Sequence, residues 1–307
     1  VPIWALLSIS SALAAAPPTG DLHLSYPFAP TGEPMPYRLY VPSGYDGKTP
    51  MPLVVVLHGS GMTEDTLFDQ SGGQALKQLA EQRGYIVLAP RGYSAFGGYG
   101  DIYPVVVTHQ TAKDGIAMAA RRMAAAAAPK DPETSPPPPP GPRPPLANVA
   151  VPAEDGVDQP KGELSDTRSN ELSEQDVLAV LDQVRQTYNI DPSRTYLMGN
   201  SMGGAGAAYL AVKYPQRWAA VSPSGGPVAA WSYPFERLRA NTLPVLFVHG
   251  EYDEHANPHW SEVLASSGQA VGADTQVLVV KGAHHGDAWI KALPQIFDFF
   301  DQHRRQR

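Results

Sequence analysis

The chain of 307 residues is 43% apolar and only 17% charged, so it can bury a substantial core and is not a disordered, solvating polymer. Its formal charge is −7, and no Lys/Arg-rich run precedes His303-Arg304-Arg305-Gln306-Arg307, which argues against nucleic acid as a partner. The absence of cysteine excludes thiol nucleophiles, disulfide staples and thiolate zinc sites together.

Residues 1–16 (VPIWALLSISSALAAA) are uncharged and apolar and end in small residues, with an A-x-A-like pattern at Ser11-Ala12-Leu13-Ala14. This predicts a cleaved export signal and a secreted or periplasmic protein. The stretch is shorter than the roughly 20 residues of a membrane span, and no longer apolar run follows, so no integral membrane span is expected. Residues 17–307 then read as a single domain. Strand-like runs at 37–41, 52–57 and 85–89 surround a helix-like run at 74–84. The second of these strands, PLVVVL, is continuously apolar, as suits a strand covered on both faces.

Between the strand at 85–89 and a helix at 171–188 lie about 80 residues, far more than joins neighbouring elements. The segment at about 106–168 is Ala- and Pro-rich: 11 of the chain's 32 prolines fall between Pro129 and Pro152. It reads as a low-complexity surface insertion. The helix after it has Val177, Leu178, Val180, Leu181 and Val184 at helical spacing, with Ser173 and Asp176 expected as a capping pair. Strands at 195–198, 219–222, 243–249 and 276–280 then alternate with helices at 202–213 and 258–267 and a last one from about 288. This alternation predicts an α/β fold, a mostly parallel doubly wound sheet with crossover helices.

The chemistry-bearing motif is Gly199-Asn200-Ser201-Met202-Gly203-Gly204, directly between a strand and a helix. A serine on so tight a turn needs small residues two before and two after it, and the turn lifts its hydroxyl above the sheet. The helix N-terminus behind it favours developing negative charge. Such a serine needs an imidazole to take its proton and a carboxylate to orient that imidazole. In this fold class the acid follows the serine and the histidine comes last. Asp253, after the strand at 243–249, is the expected carboxylate, with Glu251 and Glu254 as competitors. His284 and His285 both follow the strand at 276–280, and either could be the base.

Two backbone N–H groups must face the oxyanion. Met202 supplies one, and Ser60 in Leu57-His58-Gly59-Ser60-Gly61-Met62 the other, with Gly61 as the alternative. His58 reads as a packed residue holding this loop. No dense metal-ligand spacing is present among the nine histidines, so no metal is expected. Tyr93 and Trp231, each following a strand, are candidate aromatics of the substrate cleft.

With the serine turn, the HGSG loop, HGEYDE and HHGDAW in this order, the chain resembles α/β-hydrolase serine esterases, and more narrowly secreted polyhydroxyalkanoate-depolymerase-like, feruloyl-esterase-like and predicted-peptidase members. Pro36-Tyr37-Arg38-Leu39-Tyr40-Val41-Pro42 and Asp191-Pro192-Ser193-Arg194-Thr195-Tyr196 are similar to their counterparts there. The resemblance favours His285 as base, because glycine follows it and the terminal helix comes next, with His284 as the alternative. It implies a cofactor-free and metal-free hydrolase that cleaves a small-molecule or polymeric ester through an acyl-enzyme: a short-chain carboxylesterase or a polyester depolymerase. A serine peptidase of the same fold and an inactive binding protein are the rival expectations. No oligomeric state is read from the sequence.

Overall fold

The computed structural model describes residues 17–102 and 166–305. The expected export signal and nearly all of the expected insertion lie outside those residues. The described chain begins with an antiparallel hairpin of β1 (Gly20–Phe28) and β2 (Glu33–Val41). Leu22, Leu24, Tyr26 and Phe28 alternate with exposed neighbours, so one face of β1 turns inward. Next come β3 (Met51–Leu57), α1 (Thr66–Asp69), α2 (Ser71–Arg83) and β4 (Ile86–Pro90). From residue 166 onward follow α3 (Thr167–Thr187), β5 (Ile190–Asn200), α4 (Met202–Lys213), β6 (Ala220–Ser224) and α5 (Phe235–Ala240). The chain closes with β7 (Val245–Gly250), α6 (His259–Ala270), β8 (Thr275–Val280), α7 (Ala288–Lys291) and α8 (Leu293–Asp301).

The eight strands form one sheet in the order β1-β2-β4-β3-β5-β6-β7-β8. β1, β2 and β4 pair antiparallel, and the ladder from β4 through β3 to β8 is parallel. Because strand side chains alternate, the apolar run of β3 serves two cores at once. Leu53, Val55 and Leu57 face one way and meet Val177, Val180, Leu181 and Val184 of α3. Val54 and Val56 face the other way, toward Leu76 and Ala80 of α2 and Ile296, Phe297 and Phe300 of α8. Each fully buried aliphatic side chain of this kind contributes about 1.5–3 kcal/mol. Among the described residues no helix is long and apolar enough to cross a membrane.

The helix expected at 171–188 begins earlier, at Thr167, and Ser173 and Asp176 are not its cap. Asp166 is the N-cap, its carboxylate accepting from the N–H groups of Arg168 and Ser169. Ser173 and Asp176 lie two turns inside and tie the helix to its neighbours instead. Ser173 Oγ donates to Gly92 O. Asp176 accepts from Tyr26 Oη at 2.6 Å and from Gly92 N at 2.7 Å. Burial pushes the Asp176 carboxyl up to about 6 despite those donors.

Candidate active site

The C-terminal ends of β3, β5, β7 and β8 lie at one edge of the parallel ladder, where loops converge. β5 delivers Ser201 there. Its backbone has φ 59° and ψ −120°, a region that side-chain-bearing residues rarely occupy. The three surrounding glycines are sterically required. A Cβ on Gly199 would lie 2.3 Å from Gly203 O, one on Gly203 2.2 Å from Leu57 O, and one on Gly204 2.2 Å from Ser224 O. Two backbone bonds hold the turn: Ser201 N–H donates to Ser224 O at 2.9 Å, and Ala205 N–H donates to Ser201 O at 3.0 Å. Met202 N–H lies in the first turn of α4, where N–H groups lack an intrahelical acceptor and can meet an anion.

The loop after β3 runs directly over this serine, for a Cβ on Gly59 would stand 3.5 Å from Ser201 Cβ. Gly61 N–H is committed to Ala95 O at 2.9 Å, whereas Ser60 lines the cleft beside Ser201. His58 is fully buried, with Nδ1 2.9 Å from Gly59 O and Nε2 2.9 Å from Arg91 O. Burial lowers its pKa, and its ring packs edge-on against Tyr99 at 5.4 Å.

β7 ends at Gly250, and the following turn places Asp253 with its side chain wholly buried. Its Oδ1 accepts from the N–H groups of His255 and Ala256 at 2.9 and 2.8 Å. Both of its oxygens approach His285 Nδ1, at 2.9 and 2.8 Å. Burial alone would raise the Asp253 carboxyl, but the hydrogen bonds from His249, His285 and Ala256 outweigh it and hold the group well below the usual carboxylate range. Nδ1 is thus the ring nitrogen of His285 that faces Asp253, and the ring borders the cleft with Ser201.

The structure separates the two adjacent histidines. His284 is 61% exposed, 3.4 Å from Glu254 Oε2 and away from Asp253. The competing carboxylates brace the β8 loop: Glu251 accepts from Gly282 N at 2.8 Å and Glu254 from His285 N at 3.4 Å.

Ser201 and His285 open into a cavity of about 440 Å³ whose apolar wall is Met62, Leu67, Trp289 and Ile290. Neither candidate aromatic belongs to that wall. Tyr93 packs into the core against Phe28, ring centroids 6.1 Å apart, and Trp231 stands edge-on to Trp260 at 5.2 Å. Both rings are partly buried against these neighbours, and neither lines the cavity that holds Ser201 and His285. The actual wall comes from the loop after β3, α1 and α7. α1 is anchored from below by Arg38 of β2, whose buried guanidinium meets Asp65 at 2.7 Å, Asp69 at 2.9 Å and Asp21 at 2.6 Å. Trp289 follows His285 by four residues, in the short helix that the base loop enters, and its place in HHGDAW is the signal that could have found it. Among the described residues no group of three His, Asp or Glu side chains is arranged to hold a metal ion.

Residues 175–306 match the Esterase family. The chain is 33% identical over 81 residues to a bifunctional acetylxylan esterase/xylanase of Neocallimastix patriciarum; the match covers 26% of this chain and 12% of that protein. Among solved structures, a thermostable esterase superposes with a TM-score of 0.55 at 20% identity, over 93% of this chain and 63% of that one. A ferulic acid esterase of Anaeromyces mucronatus, solved with ferulic acid, gives 0.56 at 15% identity, over 95% of this chain and 93% of its own. At such identities the structural likeness speaks to fold. The chain therefore has the α/β-hydrolase fold, and its residues 175–306 match the model of the Esterase family.

Proposed function

We propose that this protein is a serine carboxylic ester hydrolase acting through an acyl-enzyme. The observation that carries the reading is the convergence of Ser201 and His285 on one cleft, with His285 Nδ1 held on the buried Asp253 at 2.8 Å. Ser201 Oγ attacks the ester carbonyl while His285 Nε2 takes its proton, and Asp253 orients the ring and stabilises the imidazolium. The N–H groups of Ser60 and Met202 bind the oxyanion. As the tetrahedral species collapses, His285 returns the proton to the leaving alcohol oxygen. Water, deprotonated by the same Nε2, then cleaves the acyl-enzyme and releases the acid.

The apolar wall of Met62, Leu67, Trp289 and Ile290 suits a short aliphatic or an aromatic group on the ester, in keeping with the esterase relatives. The uncharged apolar run of residues 1–16 supports an exported setting. Hydrolysis of p-nitrophenyl acetate and butyrate, compared with aminoacyl p-nitroanilides and an insoluble polyester, tests the reading. Esters should be cleaved, and Ser201→Ala should lose that activity by several orders of magnitude. A Ser201→Ala protein within tenfold of wild type removes the serine from the chemistry, and a preference for the anilides turns the assignment to a peptidase.

A further inference from the structure

A second histidine stands behind the acid. His249, near the end of β7, precedes Asp253 by four residues, and both side chains are wholly buried. Its Nε2 lies 2.9 Å from Ala256 O and 3.1 Å from Asp253 Oδ2. Its Nδ1 lies 2.7 Å from Oγ of Ser261, on α6. The two groups facing Nε2 can only accept, so Nε2 carries the hydrogen. Nδ1 is then a lone pair, and the Ser261 hydroxyl donates to it. One contact thus fixes the tautomer that the other needs.

Counting donors on the carboxylate shows what the arrangement supplies. Oδ1 has the N–H groups of His255 and Ala256 in addition to His285. Among the described residues, Oδ2 has only His249 besides the His285 Nδ1 that it shares with Oδ1. Without His249, Asp253 would hold an under-solvated oxygen in a dry site and would pull harder on the His285 proton. Serine attack requires His285 to be unprotonated, so a stronger pull on that proton costs activity at low pH.

We infer that His249, with its tautomer set by Ser261, is a positioning residue of the hydrolytic machinery: it caps Asp253 Oδ2 from behind, fixes the carboxylate, and moderates its hold on His285. The inference rests on the triad reading above. Other titratable groups facing this pair are His255, whose ring meets His285 edge-on at 4.8 Å, and Glu254, which accepts from His285 N and sits beside His284. On α6, His259 pairs with Glu262. β6 and its loop present Gly225 to the ring. The substitutions below leave all of these in place.

The test uses the differing reach of two amides. In His249→Gln the side-chain nitrogen can stand where Nε2 stood and still donate to Asp253, whereas in His249→Asn it reaches only the place of Nδ1. We expect His249→Asn to lower kcat on p-nitrophenyl butyrate about ten- to hundredfold with KM within twofold, and to move the acid limb of kcat/KM up by about half to one pH unit. His249→Gln should recover most of the rate and keep the wild-type limb. Ser261→Ala, which frees the tautomer, should shift the limb in the same direction by less. Equal losses in the Asn and Gln variants with an unmoved limb would overturn the inference and leave His249 as packing. Should the Asn variant fail to fold, an unmoved limb in Ser261→Ala overturns it by itself. A failure of the triad reading shows separately, as an active Ser201→Ala protein.

Discussion

Replacing Ser201 by glycine is expected to stabilise the protein while abolishing turnover. At φ 59° and ψ −120° the serine occupies a region where a Cβ is a steric burden, worth about 1–3 kcal/mol. Glycine removes the burden without disturbing the bonds from Ser201 N–H to Ser224 O and from Ala205 N–H to Ser201 O, because both are backbone. Against this, glycine widens the unfolded ensemble by about 0.4–1 kcal/mol. The balance is near 1 kcal/mol in favour of glycine, a rise in Tm of about 2–4 °C for an ordered domain of this size. Ser201→Ala is the decisive control. It removes the hydroxyl and keeps the Cβ, so it should be as inactive as the glycine variant but no more stable than wild type through this route. Thermal and urea unfolding of the three proteins at pH 7, followed by circular dichroism, reads the difference. A glycine variant that melts at or below the alanine variant would mean that the serine turn stores no strain.

Asp176 should make stability depend on pH in a recognisable direction. Its carboxyl titrates near 6 in the folded protein against an ordinary 3.8, so the folded state retains a proton that the unfolded chain has released. That contribution, about 3 kcal/mol, is fully present below pH 3.8 and is lost as pH rises through 6. Asp176→Asn should flatten this part of the profile in urea titrations from pH 4 to 7, and a difference curve with no slope there would refute the assignment. Arg38→Met should cost about 2–3 kcal/mol, the lower end for a broken buried pair because its carboxylate partners reach solvent, and should raise KM more than it lowers kcat, since α1 forms part of the cleft wall. An unchanged KM would separate the Arg38 cluster from the cleft. His285→Gln should lose at least a thousandfold in kcat/KM and His284→Gln less than threefold; the reverse pattern would transfer the base to His284. In the wild type the rate should fall with decreasing pH as the base is protonated, and a rate that stays flat to about pH 5 would exclude a histidine base.

What could be read from the sequence followed from how strongly each local pattern constrains the backbone. β3 and β7 are legible because strands covered on both faces must be continuously apolar, and the serine turn because three glycines at fixed offsets between strand and helix have a steric reason. β1 carried a readable alternation, Leu22-x-Leu24-x-Tyr26-x-Phe28, that polar and proline residues in between diluted. The four-residue α1 is shorter than two helical turns, so no period announces it, and with it the cleft wall stayed hidden. Ser173 and Asp176 look like capping residues by type, yet they are buried because α3 packs its interior against the Gly92 loop and Tyr26. Tyr93 and Trp231 show the same limit, for position after a strand does not tell a ring that faces the cleft from one that faces the core. The choice between His284 and His285 likewise needed the direction of each side chain, and only the fold supplies that.

The central claim is that Ser201 is the nucleophile and His285 activates it. The most direct measurement is the rate and position of covalent labelling by a fluorophosphonate, followed by intact-mass and peptide mass spectrometry. One adduct is expected per chain, on the peptide containing Ser201, absent in Ser201→Ala and slowed at least a hundredfold in His285→Gln with His284→Gln unaffected. Labelling that persists in Ser201→Ala, or that proceeds at the wild-type rate in His285→Gln, would contradict it.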